Sequence, residues 1–361
     1  MPATPAGSAT RLAQLSIDTA ALQHNLQRVK HFAPQSRVMA VIKANAYGHG
    51  VITAARALAE ADAFALAMTA EALQLRAAGF EQRLLVLQGF QNSDELAQLA
   101  EHEIATVVHH ESQLALLEKY SGTKLDVWLK LDTGMHRLGF EPALAPQMVT
   151  RLRACSGVAQ IRLISHFANA DVIDNNLNIS QIESFIKVNN SFEFEASMAN
   201  SSAVVGLPQS HFDWVRPGIM LYGSSPLVGR SAAELGLKPV MTLQAPVIAV
   251  KQLRAGDSVG YGSLWTCNHD TRVACIAAGY ADGYPRHAPS GTPVPLKGQR
   301  GGLVGRLSMD SLCVELGDLE VAVGDMAELW GQHISVDEVA SCAGTISYEL
   351  LCQAGNAANL V

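Results

Sequence analysis

Positive charge is scarce in this chain of 361 residues, where 26 lysines and arginines stand against 33 carboxylates. A net charge of -7 and a pI near 5.9 argue against a general nucleic-acid or anionic-membrane surface and leave small-molecule chemistry as the better fit. Charge of either sign is sparse: at 16% charged and 48% hydrophobic residues, a disordered chain is excluded. Cysteine occurs only at 155, 267, 275, 313, 342 and 352, with no CxxC pair and no histidine companion pattern for zinc. These six read as reduced core thiols, and no metal is expected. No apolar stretch approaches the about 18 residues that span a bilayer. Residues 1–10 carry neither the basic nor the apolar region of a secretory signal, so the cytoplasm is the simplest address.

What is present is a large core and a regular alternation. The length exceeds one ordinary core, so two domains are expected, one of them a barrel of about 250 residues. An opening strand near 12–17 precedes an amphipathic helix with Leu22, Leu26 and Val29 at helical spacing. Short apolar runs then recur at 38–42, 63–68, 84–87, 104–108, 127–131, 161–164, 194–196 and 215–221, separated by alanine- and leucine-rich helical segments. Eight such βα units imply a closed (β/α)8 TIM-type barrel. From about Met241 the helices thin out and β-branched runs with turn residues take over. The expectation is therefore a barrel over 1–238 and a mostly β domain over 239–361, with the opening strand free to pack on the second domain.

Within the barrel, Lys43 calls for explanation. It ends the apolar run 38–42 and precedes a loop punctuated by Gly48 and Gly50. At the carboxyl end of a parallel strand a side chain faces the ligand site, and a lysine held there among apolar groups loses basicity by desolvation. A lysine so placed can form a Schiff base. Polar groups follow the other barrel strands: Asp132 to Gly139 after the fifth, Ser165-His166 after the sixth, Asn200-Ser201 after the seventh, and Arg216-Pro217-Gly218-Ile219 in the eighth. Taken singly, each has an ordinary reading as turn chemistry or a rim ion pair. Together they suit an anionic aromatic cofactor: Asn200, Ser201 and the N–H groups around Gly218 for a phosphate, and Arg137 for a carboxylate.

Six motifs give the chain a resemblance to the alanine racemase family of fold-type III pyridoxal-phosphate enzymes. They are Val41-Ile42-Lys43-Ala44-Asn45-Ala46-Tyr47-Gly48-His49-Gly50, Asp132-Thr133-Gly134-Met135-His136-Arg137-Leu138-Gly139, Arg216-Pro217-Gly218-Ile219-Met220-Leu221-Tyr222-Gly223, Gly279-Tyr280-Ala281-Asp282-Gly283, Gly305-Arg306-Leu307-Ser308-Met309-Asp310 and Ser347-Tyr348-Glu349. The resemblance implies that Lys43 carries pyridoxal 5'-phosphate and is the base on the D side, with Tyr280 the base on the L side. It further implies that Tyr47, Ser201 and Tyr348, with the backbone at Gly218 and Ile219, hold the phosphate. Arg216 then faces the pyridine nitrogen, near His166 and Tyr280. Arg137 and Met309 meet the substrate carboxylate, and Lys130 matches a lysine that is carbamylated in many members. The family's homodimer, with Tyr280 and Met309 serving the partner's barrel, is implied as well.

The implied activity is interconversion of L- and D-alanine, for cell-wall synthesis or alanine breakdown. A broader amino-acid racemase and a fold-type III decarboxylase are the alternatives; the decarboxylase should lack the Gly-Tyr-Ala-Asp-Gly motif. One departure stands out: the family commonly closes with Arg-Val-Pro, whereas Leu351-Cys352 here runs into Gln353-Ala354-Gly355-Asn356.

Overall fold

The computed structural model describes residues 11–357 and 359–360, and among these residues eighteen strands and ten right-handed α-helices are laid out in two compact units. The sequence reading of residues 1–10, and positions 358 and 361 of the tail, lie outside that range. One unit is formed by Thr19–Ala46 and Gly50–Lys238; the other takes the chain up to Asp18, Tyr47–His49 and the chain from Pro239 onward.

The first unit is a closed parallel barrel. After β1 (Gln14–Ile17), its strands in order are β2 (Arg37–Val41), β3 (Ala63–Leu66), β4 (Arg83–Val86), β5 (Ile104–Val108), β6 (Leu125–Lys130), β7 (Val158–Ile164), β8 (Ala196–Asn200) and β9 (Trp214–Arg216). Each pairs in parallel with the next, and β9 closes on β2 through Val38↔Val215. Strands such as β3 are buried along their whole length, which is why they read as continuous apolar runs rather than as an alternation. The helices between them show local logic. In Ser93–Glu101, Asn92 accepts the Glu95 N–H at 2.9 Å, and Leu96, Leu99 and Ala100 form the buried stripe. Trp214, Phe64 and Phe185 are fully buried, each stabilising the core by about 1.5–3 kcal/mol through removal from water.

An ion-pair network ties β7 to its neighbours. Arg162, buried, donates to Asp126 at 2.7 Å and to Glu195 at 2.6 Å, while Arg37 reaches Glu195 at 2.7 Å. Burial works against ionisation of Glu195, but Arg162 and Arg37 outweigh it and bring the carboxyl down to about 2. Arg37 opens β2 and Glu195 precedes β8, so this network belongs to the N-terminal end of the barrel, where stability rather than chemistry is served.

The second unit is mostly β. Its strands are β10 (Met241–Leu253), β11 (Ser258–Val259), β12 (Trp265–Thr266), β13 (Thr271–Ile276), β14 (Pro293–Leu296), β15 (Gln299–Val304), β16 (Leu312–Glu315), β17 (Met326–Trp330) and β18 (Asn359–Leu360). The large sheet runs β13-β16-β15-β14-β17-β10-β1-β18, and β13 pairs again with β10, so six strands close on themselves. β1 pairs antiparallel with β10, and β18 lies parallel to it through Gln14↔Asn359. The divergent tail thus supplies an edge strand.

Two sequence expectations differ from the fold. The seventh barrel strand is 196–200 rather than 194–196, because Ser197-Met198-Ala199 lacks the β-branched signal. The run at 215–221 is a strand only to Arg216; after Pro217 and Gly218, Ile219–Tyr222 folds as a 3-10 turn. The second unit also carries two helices, Val336–Ala343 and Ser347–Ala357. The first is capped by Ser335 and ended by Gly344 at φ 68°.

Candidate active site

The sharpest local feature follows β2. Lys43 opens a turn in which Ala44, Asn45, Ala46 and Tyr47 have φ of 53°, 52°, 54° and 53°. Left-handed backbone costs an L-residue roughly 1–2 kcal/mol each, so this segment stores strain that its surroundings must offset. The offsets are specific. The Ala44 N–H donates to Glu71 at 2.6 Å, and the other Glu71 oxygen accepts from Ala67 and Met68. Asn45 accepts the Val51 N–H on its side chain at 2.8 Å and the Gly50 N–H on its carbonyl at 3.0 Å. The backbone carrying Lys43 is thereby held in one conformation. Neither the strain nor Glu71 was visible in the sequence.

Four cations gather at the barrel mouth with Lys43 among them. His166 is held well below its ordinary range, first by burial and then by the charges of Arg216, Lys130, Arg137 and Lys43. Its imidazole is therefore neutral at pH 7, and Nδ1 accepts from Arg216 Nη2 at 3.3 Å. Arg216 is only 4% exposed and donates to Ser197 Oγ at 2.6 Å and to the carbonyls of Ser165 and Met198 at 2.5 and 3.4 Å. Burial brings it down to about 9, which still leaves it charged at neutral pH. Lys130 is brought down to about 8, by burial first and then by Arg216 and Arg137. The loop bearing Arg137 turns on Asp132, whose Oδ1 accepts the N–H groups of Gly134, Met135 and His136. Arg137 itself is exposed.

Beside this cluster, Ser201 Oγ accepts the Gly218 N–H at 2.8 Å and the Met220 N–H at 3.5 Å, which leaves the hydroxyl proton to donate. The Asn200 side-chain oxygen Oδ1 is engaged in capping, accepting the Ala203 N–H at 3.0 Å. Of the residues singled out from sequence, the barrel unit therefore brings together Lys43, Lys130, Arg137, His166 and Arg216, and it sets Ser201 against the backbone at Gly218.

In the second unit, Tyr47 and Tyr348 face each other with ring centroids 5.8 Å apart, and burial pushes the Tyr47 phenol up, with Tyr348 adding to it. The glycine after Tyr47 is required there. Gly48 has φ 84°, and a Cβ on it would lie 2.3 Å from the Leu351 carbonyl oxygen. Gly48→Ala should lower stability by about 2–4 kcal/mol, combining left-handed strain with overpacking. Gly79→Ala is the control, since φ there is 82° but nothing lies within 4 Å. Urea titration of the two variants should show the larger midpoint loss for position 48, and equal losses would remove the packing argument.

Tyr280 and Met309 are also neighbours. The Tyr280 N–H donates to the Ser308 carbonyl at 3.3 Å, and the Ala281 N–H to the Met309 carbonyl at 3.0 Å. Gly279 permits this approach, because a Cβ there would sit 2.2 Å from the Met309 oxygen. Arg11 grips both segments, bonding buried Asp282 through Nε and Nη2 and reaching Asp310 at 2.6 Å. The motifs contained both carboxylates, but an arginine ahead of a first strand looks like any solvated charge until the fold closes over it. Tyr280 and Met309 remain 40% and 54% exposed.

Known proteins with this geometry agree with one another. The family model described as alanine racemase, N-terminal domain, matches residues 17–226, and the one described as alanine racemase, C-terminal domain, matches 240–361. The chain is 51% identical over 346 residues to an alanine racemase of Nitrosospira multiformis, covering 95% of this chain and 97% of that protein. Among solved structures, the biosynthetic alanine racemase of Pseudomonas aeruginosa superposes with a TM-score of 0.93 at 46% identity, covering 96% of this chain and 97% of that one. An alanine racemase of Bartonella henselae with covalently bound pyridoxal phosphate gives 0.88 at 30% identity, covering 98% and 99%. The chain belongs to the alanine racemase family.

Proposed function

We propose that this protein interconverts L- and D-alanine by a two-base mechanism using pyridoxal 5'-phosphate. The observation that carries the reading is the cluster of Lys43, Lys130, Arg137 and Arg216 around one neutral imidazole, an environment suited to a ligand bearing both a phosphate and a carboxylate. The donor set fits such a cofactor. Lys43 would bind it covalently; Ser201, Asn200, the backbone at Gly218 and Ile219, and the Tyr47 and Tyr348 hydroxyls would hold its phosphate; Arg216, beside His166, would face its ring nitrogen. When bound, the cofactor supplies an electron sink for the charge left on the substrate Cα.

The chain's own groups do the rest. Arg216 stays cationic at neutral pH and does not readily surrender a proton, so it would leave the ring nitrogen it faces unprotonated and temper the electron sink. A weak sink favours return of a proton to Cα over side reactions. Arg137, with the backbone of Met309, would orient the substrate carboxylate. The Lys43 amine moves the Cα proton on the D side and the Tyr280 phenol on the L side. In this reading the protein is a homodimer, and each site joins Lys43 to the partner's Tyr280 and the partner's Met309. The exposure of both side chains supports that arrangement. Cytoplasmic supply of D-alanine for cell-wall synthesis is the role we assign, supported by likeness to the structure described as biosynthetic.

Circular dichroism of the holoprotein over a panel of L-amino acids tests the substrate: alanine should lose its ellipticity fastest. Faster loss with a larger side chain, or release of carbon dioxide, would move the protein to one of the alternatives.

Lys130 carries a further expectation. With its ammonium brought down to about 8, roughly a tenth of the amine is uncharged at pH 7. That amine can attack carbon dioxide, forming an N–C bond and releasing a proton, and the resulting carbamate would offset one cation beside Arg137. ¹³C-Bicarbonate should give a carbamate resonance that Lys130→Ala removes. A spectrum without it would leave Lys130 a plain cation.

A further inference from the structure

Two of the six thiols stand opposite each other in the second unit. Cys275 in β13 and Cys313 in β16 are direct cross-strand partners, between Ala274↔Val314 and Ile276↔Leu312. The Leu316 N–H donates to the Arg272 carbonyl at 2.9 Å, so the 272/316 pair is a hydrogen-bonded one. Alternation along an antiparallel ladder then makes 275/313 a non-hydrogen-bonded pair. Such pairs hold their Cα atoms about 4.5 Å apart, within the roughly 4.4–6.8 Å that a disulfide spans. Both thiols are half-buried, so a small reagent reaches them without unfolding. The Cys313 thiol stabilises the Cys275 thiolate against burial, with help from the Ser311 hydroxyl and Lys251, and holds it below the ordinary thiol range; the same contact pushes Cys313 up. One thiol is thus poised as nucleophile and its neighbour as resolving group.

We propose that Cys275 and Cys313 form a modification site for hydroperoxides, passing reversibly between dithiol and disulfide. The Cys275 thiolate attacks one peroxide oxygen, the O–O bond breaks, and the departing hydroxide takes up a proton as water, leaving a sulfenic acid. The Cys313 sulfur then attacks the Cys275 sulfur; the S–O bond breaks and a second water leaves with the Cys313 proton. Two thiols and one hydrogen peroxide become one disulfide and two waters, and a dithiol reductant reverses the change. The bond staples β13 to β16, whose continuations carry Tyr280, five residues after Cys275, and Met309, four residues before Cys313.

The test treats the holoprotein with dilute hydrogen peroxide, blocks remaining thiols with iodoacetamide, and maps peptides without reduction. A 275–313 linked peptide should form, with an intact mass lower by two hydrogens, and dithiothreitol should restore both. Cys313→Ser should stop at a sulfenic acid on Cys275 that dimedone captures, and Cys275→Ser should leave Cys313 unoxidised at the same dose. Alkylation of both thiols after peroxide treatment of the unaltered protein, or first oxidation at exposed Cys342, would overturn the proposal. This readout does not depend on racemase activity.

Discussion

Lys43→Ala is expected to lose the visible absorbance of the lysine-bound cofactor together with racemisation, by on the order of 10⁴-fold or more. A single general base contributes typically about 10²–10⁴-fold; here the covalent anchor goes with it. The side chain ends a strand whose backbone is held by Ile42 N–H to Ala65 at 2.9 Å and by Ala44 N–H to Glu71 at 2.6 Å. Neither bond uses the lysine side chain, so the variant should fold, with unchanged far-ultraviolet dichroism. Full cofactor absorbance in the purified variant would reject Lys43 as the anchor.

Much of this was legible beforehand, for identifiable reasons. Parallel strands buried on both faces give unbroken apolar runs, so the barrel declared itself through Ala63–Leu66 and Ile104–Val108. Lys43 drew attention because a glycine-punctuated polar loop follows the cation that closes such a run; a lysine stem lying along the sheet rim would otherwise read the same way. What could not be read depended on distant partners. The left-handed turn at 44–47 contains two alanines and no glycine of its own, and it is sustained by Glu71 and by packing that only the folded chain supplies. Arg11 meets Asp282 across 271 positions. Short strands such as Pro293–Leu296, with a proline at each odd position, look like turn sequence until β15 and β17 pair with them.

Mixing two inactive variants is expected to restore activity. Chains bearing Lys43→Ala and chains bearing Tyr280→Phe each spoil both sites of their own dimers when a site joins Lys43 to the partner's Tyr280. A mixed dimer has one site with both defects and one with neither. Random pairing makes half the dimers mixed, so recovery should approach roughly a quarter of the unaltered level. The Tyr280 segment is held independently of its hydroxyl, through Ser308, Met309 and the Arg11 clamp on Asp282, so Tyr280→Phe should preserve its backbone. If Tyr280 served its own chain's lysine, every site would keep one defect. Silence after demonstrated subunit exchange would then reject the shared site while leaving the lysine assignment intact.

The central claim is that a proton leaves Cα of alanine and one returns on either face. Holoprotein given L-alanine in deuterium oxide tests it most directly, followed by circular dichroism and chiral separation with mass analysis. The ellipticity should decay to zero, and the D-alanine formed should carry deuterium at Cα, with the same end point reached from D-alanine. Unchanging ellipticity with cofactor bound, or a decay matched by release of carbon dioxide or pyruvate instead of D-alanine, would contradict it.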